Sequence, residues 1–162
     1  VESEVGQGST FRISLPAHKL MTPNRVPRLM SEGGSTRVLI VEDMKPLRET
    51  LVRLLKRKQF LVESCGDGEE ALEVLRAKAV GYFSLVITDM MMPRMNGREL
   101  CDVVNREQPS LPVIVLSAYS ADLAPESAPG HVGFLAKPVQ PKRLFKMMDR
   151  LLAEAVEPEP GD

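Results

Sequence analysis

The chain has 162 residues, 43% of them hydrophobic, with 21 basic side chains against 22 acidic, the balance of one ordinary soluble domain with some attached linker. A net charge of -1 gives nucleic acid or a membrane surface no electrostatic reason to be the main partner, and the lack of Trp with only 4% aromatics argues against base-stacking platforms. Nothing in it reads as a secretory signal or as an apolar stretch long enough to span a bilayer.

At the start, Val1, Ser3 and Val5 precede Gly6-Gln7-Gly8-Ser9, and Phe11, Ile13 and Leu15 then alternate with Arg12 and Ser14. Alternation on both sides of a Gly-rich turn predicts a β-hairpin. A lone hairpin is marginal in water, so residues 1–16 are expected to belong to a larger sheet. Residues 17–36 scatter basic side chains among Pro and Gly and end in Ser31-Glu32-Gly33-Gly34-Ser35, a flexible linker.

From Arg37 to Glu154 apolar strands alternate with helical patterns. Val38-Leu39-Ile40-Val41 is a first strand, followed by a helix with Leu47, Leu51, Leu54 and Leu55 on one stripe. Phe60-Leu61-Val62 starts a second strand, and Ala71, Leu72 and Leu75 mark a second helix. Leu85-Val86-Ile87 and Pro112-Val113-Ile114-Val115-Leu116 are the third and fourth strands, with Leu100, Val103 and Val104 on a helix between them. Val132-Gly133-Phe134-Leu135 is the fifth, and Leu144, Met147, Met148, Leu151 and Leu152 make a closing helix. Strands apolar on both faces and separated by helices call for a parallel sheet covered on both sides, an α/β fold. Between strands four and five, Ala121–Gly130 holds two prolines and a glycine where the alternation calls for a helix. An interior Pro costs about 3 kcal/mol, so that helix is expected to be short or irregular. Residues 155–162 are too charged and Pro-rich to pack, a disordered tail. Cys65 and Cys101 fit no C-x-x-C pattern and read as two reduced, partly buried thiols of a cytosolic protein.

The chemistry gathers at strand ends. Glu42-Asp43, Asp89, Ser117 and Lys137 each follow an apolar run, and right-handed crossovers bring such positions to one edge of a parallel sheet, where the functional crevice lies. A single strand-end acid more often caps the next helix; five polar residues at four strand ends make a site. Crowded carboxylates ask for a cation, and an all-oxygen ligand set favours Mg2+ over zinc. Asp89 is placed to attack phosphorus as a carboxylate, with Mg2+ held by Asp43 and Asp89 neutralising the transferring oxygens and Glu42 acting through water. Lys137 supplies a point charge to the phosphoryl group and the Ser117 hydroxyl a hydrogen bond.

Four motifs carry a family resemblance: Val41-Glu42-Asp43, Thr88-Asp89-Met90-Met91-Met92-Pro93-x-Met95-Asn96-Gly97, Leu116-Ser117-Ala118 and Phe134-Leu135-Ala136-Lys137-Pro138. In combination they are highly specific, and residues 37–154 resemble the receiver domain of two-component response regulators. The resemblance implies a flavodoxin-like (βα)5 three-layer sandwich with strand order 2-1-3-4-5. It further implies phosphorylation of Asp89 by a phosphohistidine, Mg2+ ligation by Asp43, Asp89 and the Met91 backbone carbonyl, and a switch in which Ser117 moves and Phe134 repacks. The donor is expected to be a kinase dimerisation domain or a histidine phosphotransfer protein, the domain a monomer, its location the bacterial cytoplasm. Phe134 departs from the Tyr frequent in the family, so it switches by packing alone. The Pro-rich fourth connection shifts the expected signalling surface toward the closing helix. Met91 and Tyr119, each two residues past a site residue, are expected to hinder attacking water and so tune dephosphorylation.

Glu2-Ser3-Glu4-Val5-Gly6-Gln7-Gly8-Ser9-Thr10-Phe11-x-Ile13-x-Leu15-Pro16 resembles the end of a histidine-kinase ATP-binding domain. The parent is then a hybrid histidine kinase, compatible with membrane anchoring although this fragment makes no membrane contact and has no ATP site. His18 and His131 lack the neighbours of a phosphoacceptor histidine and are expected in solvent. Two other readings are a degenerate receiver that only docks partners and a phosphatase of the haloacid dehalogenase type. The first usually lacks Asp89 or Lys137; the second needs Asp-x-Asp after the first strand, where this chain has Glu42-Asp43-Met44-Lys45. A flavin-binding domain is disfavoured because no Ser/Thr/Gly-rich phosphate loop follows Val41.

Overall fold

A computed structural model describes residues 36–118 and 131–155. In chain order the elements are β1 (Arg37–Val41), α1 (Lys45–Lys56), β2 (Leu61–Cys65), α2 (Gly68–Ala77), β3 (Leu85–Asp89), α3 (Gly97–Glu107), β4 (Val113–Ser117), β5 (Val132–Ala136) and α4 (Pro141–Glu154). The strands form one sheet in the order β2-β1-β3-β4-β5, every neighbouring pair parallel. The expected leader hairpin, linker, irregular fourth connection and tail lie outside the described residues, apart from Thr36 and Ala155.

Side chains alternate across a strand with period two, and this sheet shows the consequence. Leu39, Val41, Val86, Val113 and Val115 point to one face and pack with Ala71, Leu72 and Leu75 of α2 and Leu100, Cys101 and Val104 of α3. Val38, Ile40, Leu85, Ile87, Ile114 and Leu116 point to the other and pack with Leu51 and Leu55 of α1 and Leu144, Met148 and Leu151 of α4. Fully burying one Leu or Ile is worth about 1.5–3 kcal/mol, so the two clusters fix the three-layer arrangement. Burial on both faces holds for β1, β3 and β4 but not for β2, where Leu61 and Ser64 are exposed, nor for the half-buried β5. Among the described residues those two strands are the sheet edges, with a neighbouring strand on one side only. The second strand also begins one residue later than its apolar run, because Phe60 turns into the α1–α4 cluster.

Local chemistry starts each helix. Pro lies in the first turn of α1 and of α4, where the missing N–H loses no bond. The Asp67 carboxylate caps α2 by accepting from the Glu69 and Glu70 N–H groups at 2.9 and 3.0 Å. Asn96 and Glu99 form a reciprocal capping box at α3. Both thiols are free and fully inside, more enclosed than expected. Burial, with the nearby Glu70 and Glu63, pushes Cys65 up to about 12. Burial, with Asp102 beside it, pushes Cys101 up to about 11, which leaves both poor nucleophiles. Among the described residues no helix is long and apolar enough to cross a membrane.

Candidate functional site

Parallel registry places the polar strand ends side by side. Asp89, the last residue of β3, lies opposite Leu116, and Ser117, the last of β4, opposite Ala136. The Lys137 N–H donates to the Ser117 carbonyl at 2.7 Å, so the ladder fixes where the lysine leaves the sheet. From there its ammonium reaches two carboxylates. Lys137 Nζ lies 2.8 Å from Asp89 Oδ2 and 3.1 Å from Glu42 Oε2.

These groups are poorly hydrated. The side chains of Glu42, Asp89 and Lys137 are 0%, 8% and 20% exposed, and buried charges persist only when paired. Burial pulls the Lys137 ammonium down, but its hydrogen bonds to Asp89 and Glu42 outweigh that and hold it above its ordinary value. Burial pushes the Glu42 carboxyl up, the Lys137 hydrogen bond opposes it, the Asp89 charge adds to it, and the net direction is up. Each remaining oxygen has a backbone donor: Met44 N–H to Glu42 Oε1 at 3.3 Å and Met91 N–H to Asp89 Oδ1 at 3.4 Å.

Asp43 completes the cluster. It is exposed, and one carboxylate oxygen each from Glu42, Asp43 and Asp89 lie within 4.8 Å of one another. One ammonium cannot balance three carboxylates, and an oxygen-only donor set open to solvent at Asp43 suits a hard divalent cation such as Mg2+. His and Cys, the ligands that favour zinc, contribute nothing to this cluster.

Thus Glu42, Asp43, Asp89 and Lys137 come together as the sequence led one to expect, with Ser117 beside them, fully buried. Phe134 is half-buried against the α2–α3 cluster, and Met91 points outward, 66% exposed. Tyr119 and His18 lie outside the described residues. His131, expected in solvent, is half-buried; its carbonyl accepts from Val113 N–H at 2.9 Å, which draws it into the start of β5.

Two further residues support the site, and the first of them escaped the sequence reading. Arg48 Nη1 donates to the carbonyls of Glu42 at 2.5 Å and Asp43 at 3.4 Å, pinning the turn that carries both acids. Gly97 belongs to a motif already noted, but its reason is steric: an added Cβ would fall 2.1 Å from the Asp89 carbonyl oxygen.

Residues 38–149 match the family described as response regulator receiver domain. The chain belongs to that family. This receiver domain is 31% identical over 163 aligned positions to the sensor kinase CckA of Brucella abortus (strain 2308), an alignment covering 93% of this chain and 17% of the kinase. The crystal structure of the receiver domain from the hybrid histidine kinase CckA is 32% identical, with a TM-score of 0.61 over 72% of this chain and 98% of that one. The response regulator TrrA of Thermotoga maritima, solved in complex with Mg2+ and BeF, is 26% identical, with a TM-score of 0.64 over 72% of this chain and 98% of that one. The receiver is therefore a module of two-component signalling, with relatives among hybrid kinases. The two readings set against it, dehalogenase-type phosphatase and bare docking module, find no support.

Proposed function

We propose that Asp89 is the phosphoacceptor of this receiver and that Lys137, Ser117, Asp43, Glu42 and Met91 serve the transfer. The observation that carries this reading is the Lys137 ammonium held between Asp89 and Glu42 beside a three-carboxylate cluster. An Asp89 oxygen forms the bond to phosphorus as the phosphorus–nitrogen bond of a phosphohistidine breaks, and the electron pair leaves with the imidazole, which takes up a proton. Lys137, already hydrogen-bonded to Asp89, stays within reach of the charge that arrives there. The Ser117 hydroxyl donates to a phosphoryl oxygen, and Phe134 repacks as Ser117 moves. Mg2+ held by Asp43, Asp89 and the Met91 carbonyl, with Glu42 through water, supplies charge neutralisation to the phosphoryl oxygens when bound.

The parent we infer is a hybrid histidine kinase of the bacterial cytoplasm, with residues 1–16 the last hairpin of its ATP-binding domain. Support comes from the similarity to a sensor kinase, which extends over 93% of the chain, beyond the receiver match. The fragment alone catalyses only its own phosphorylation and dephosphorylation, as a monomer facing a phosphohistidine donor.

Radiolabelled acetyl phosphate with Mg2+ should label the chain, and Asp89→Asn should abolish the label. Equal labelling of Asp89→Asn would sink the assignment. In the same assay Met91→Ala should lose its label faster, because the exposed Met91 side chain then no longer obstructs water.

A further inference from the structure

The loop from Met90 to Asn96, between β3 and α3, carries a residue in a conformation that its side chain disfavours. Arg94 has a φ of 63°, in the left-handed region that only Gly enters freely. Gln59, at 66°, is the other such residue among the described ones; what sets Arg94 apart is the ion pair its side chain makes with a buried carboxylate.

The Arg94 guanidinium forms an ion pair with Asp67 Oδ2 and a second, at 3.4 Å, with Glu69 Oε2. Asp67 is buried at 4% exposure, and its other oxygen is spent on the cap of α2. Each carboxylate oxygen thus has its own task. One residue on, the loop lies against Gly68, where an added Cβ would come within 2.8 Å of the Met95 carbonyl oxygen. At its other end the loop is anchored in the sheet: Met90 N–H donates to Leu116 at 2.8 Å and Gly97 N–H to Met90 at 2.9 Å. Met91, Met92 and Pro93 therefore run between two fixed points, and Arg94 makes the outer one.

We propose that Arg94 is a positioning residue for the cation: its ion pair with Asp67 holds the segment bearing the Met91 carbonyl and so sets the affinity for Mg2+. This rests on the receiver chemistry proposed above. The guanidinium is 59% exposed but its partner carboxylate only 6%, so losing the pair costs some stability. Asp67 keeps its two helix-cap hydrogen bonds and relief of the Arg94 backbone offsets the loss, which leaves the geometry of the loop as the main effect. The backbone strain and the tether oppose each other in one residue, and that separates the two roles.

Arg94→Gly relieves the φ and removes the guanidinium. Calorimetric titration of the metal-free chain with Mg2+ should show about tenfold weaker binding, while the urea midpoint stays the same or rises. Arg94→Lys, which keeps a charge, should recover part of the affinity. Asp67→Asn, which keeps the helix cap, should weaken Mg2+ as Arg94→Gly does, and the double variant should be no weaker than either single one. Unchanged Mg2+ affinity in Arg94→Gly would overturn the proposal, as would a parallel fall of affinity and urea midpoint, the mark of a structural brace. A wild-type chain that bound no Mg2+ would instead overturn the metal chemistry itself.

Discussion

Glu42 is a carboxylate with no exposed surface, and its neighbours pull its charge in opposite directions. Burial and the Asp89 carboxylate favour the protonated form and the Lys137 ammonium the charged one, with the net direction above 4.5. A folded value above the unfolded one means that proton binding favours the fold. That stabilisation is fully present below the unfolded value and lost as pH climbs through the folded one. Glu42→Gln removes the titration. Urea unfolding of the metal-free chain from acid to neutral pH should show a flatter profile for the variant, with about 1 kcal/mol more stability at neutral pH, the ordinary range of a single substitution. A profile parallel to wild type would show that Glu42 does not titrate there. The acid was legible in the sequence as a strand end. That it shares a lysine 95 residues away was legible only as a shared sheet edge, since one-dimensional spacing carries no side-chain distance.

At the scale of elements, hydrophobic period located all nine described helices and strands, while boundaries followed local chemistry that the period does not carry. The helix marked by Ala71, Leu72 and Leu75 begins three residues before Ala71, at Gly68, because Asp67 caps it; Asp67-Gly68-Glu69-Glu70 held that signal. Glycines show the same limit. A Cβ on Gly97 would strike main chain, at 2.1 Å from the Asp89 oxygen and 3.0 Å from Met90 Cα. On Gly133 the nearest atoms it would meet belong to side chains, Met147 Sδ at 2.6 Å, Met147 Cγ at 3.0 Å and Leu151 Cδ1 at 3.1 Å. Backbone cannot retreat as a thioether can. Gly133→Ala should therefore cost about 1 kcal/mol and Gly97→Ala about 3 kcal/mol or more, read as urea midpoints. The Gly97 variant should also label poorly, since the collision falls on the carbonyl of Asp89, the proposed acceptor. Equal midpoints would refute the distinction.

For the whole molecule, a ligand that binds only the folded state stabilises it by mass action. At a hundredfold excess of Mg2+ over its dissociation constant the gain is about 2.7 kcal/mol. Thermal melts followed by circular dichroism should show that rise, its reversal by chelator and its loss in Asp43→Asn. A melting temperature insensitive to Mg2+ would count against a cation in the acidic cluster. The lysine that joins Asp89 to Glu42 has one more consequence. Three carboxylates and the Lys137 ammonium give −2, and the Arg48 guanidinium on the same turn brings the mouth to a formal −1, which one magnesium ion turns to +1. Filled, the mouth draws an approaching phosphate; empty, it repels. Raising ionic strength should therefore slow phosphorylation when Mg2+ saturates, because salt screens that attraction.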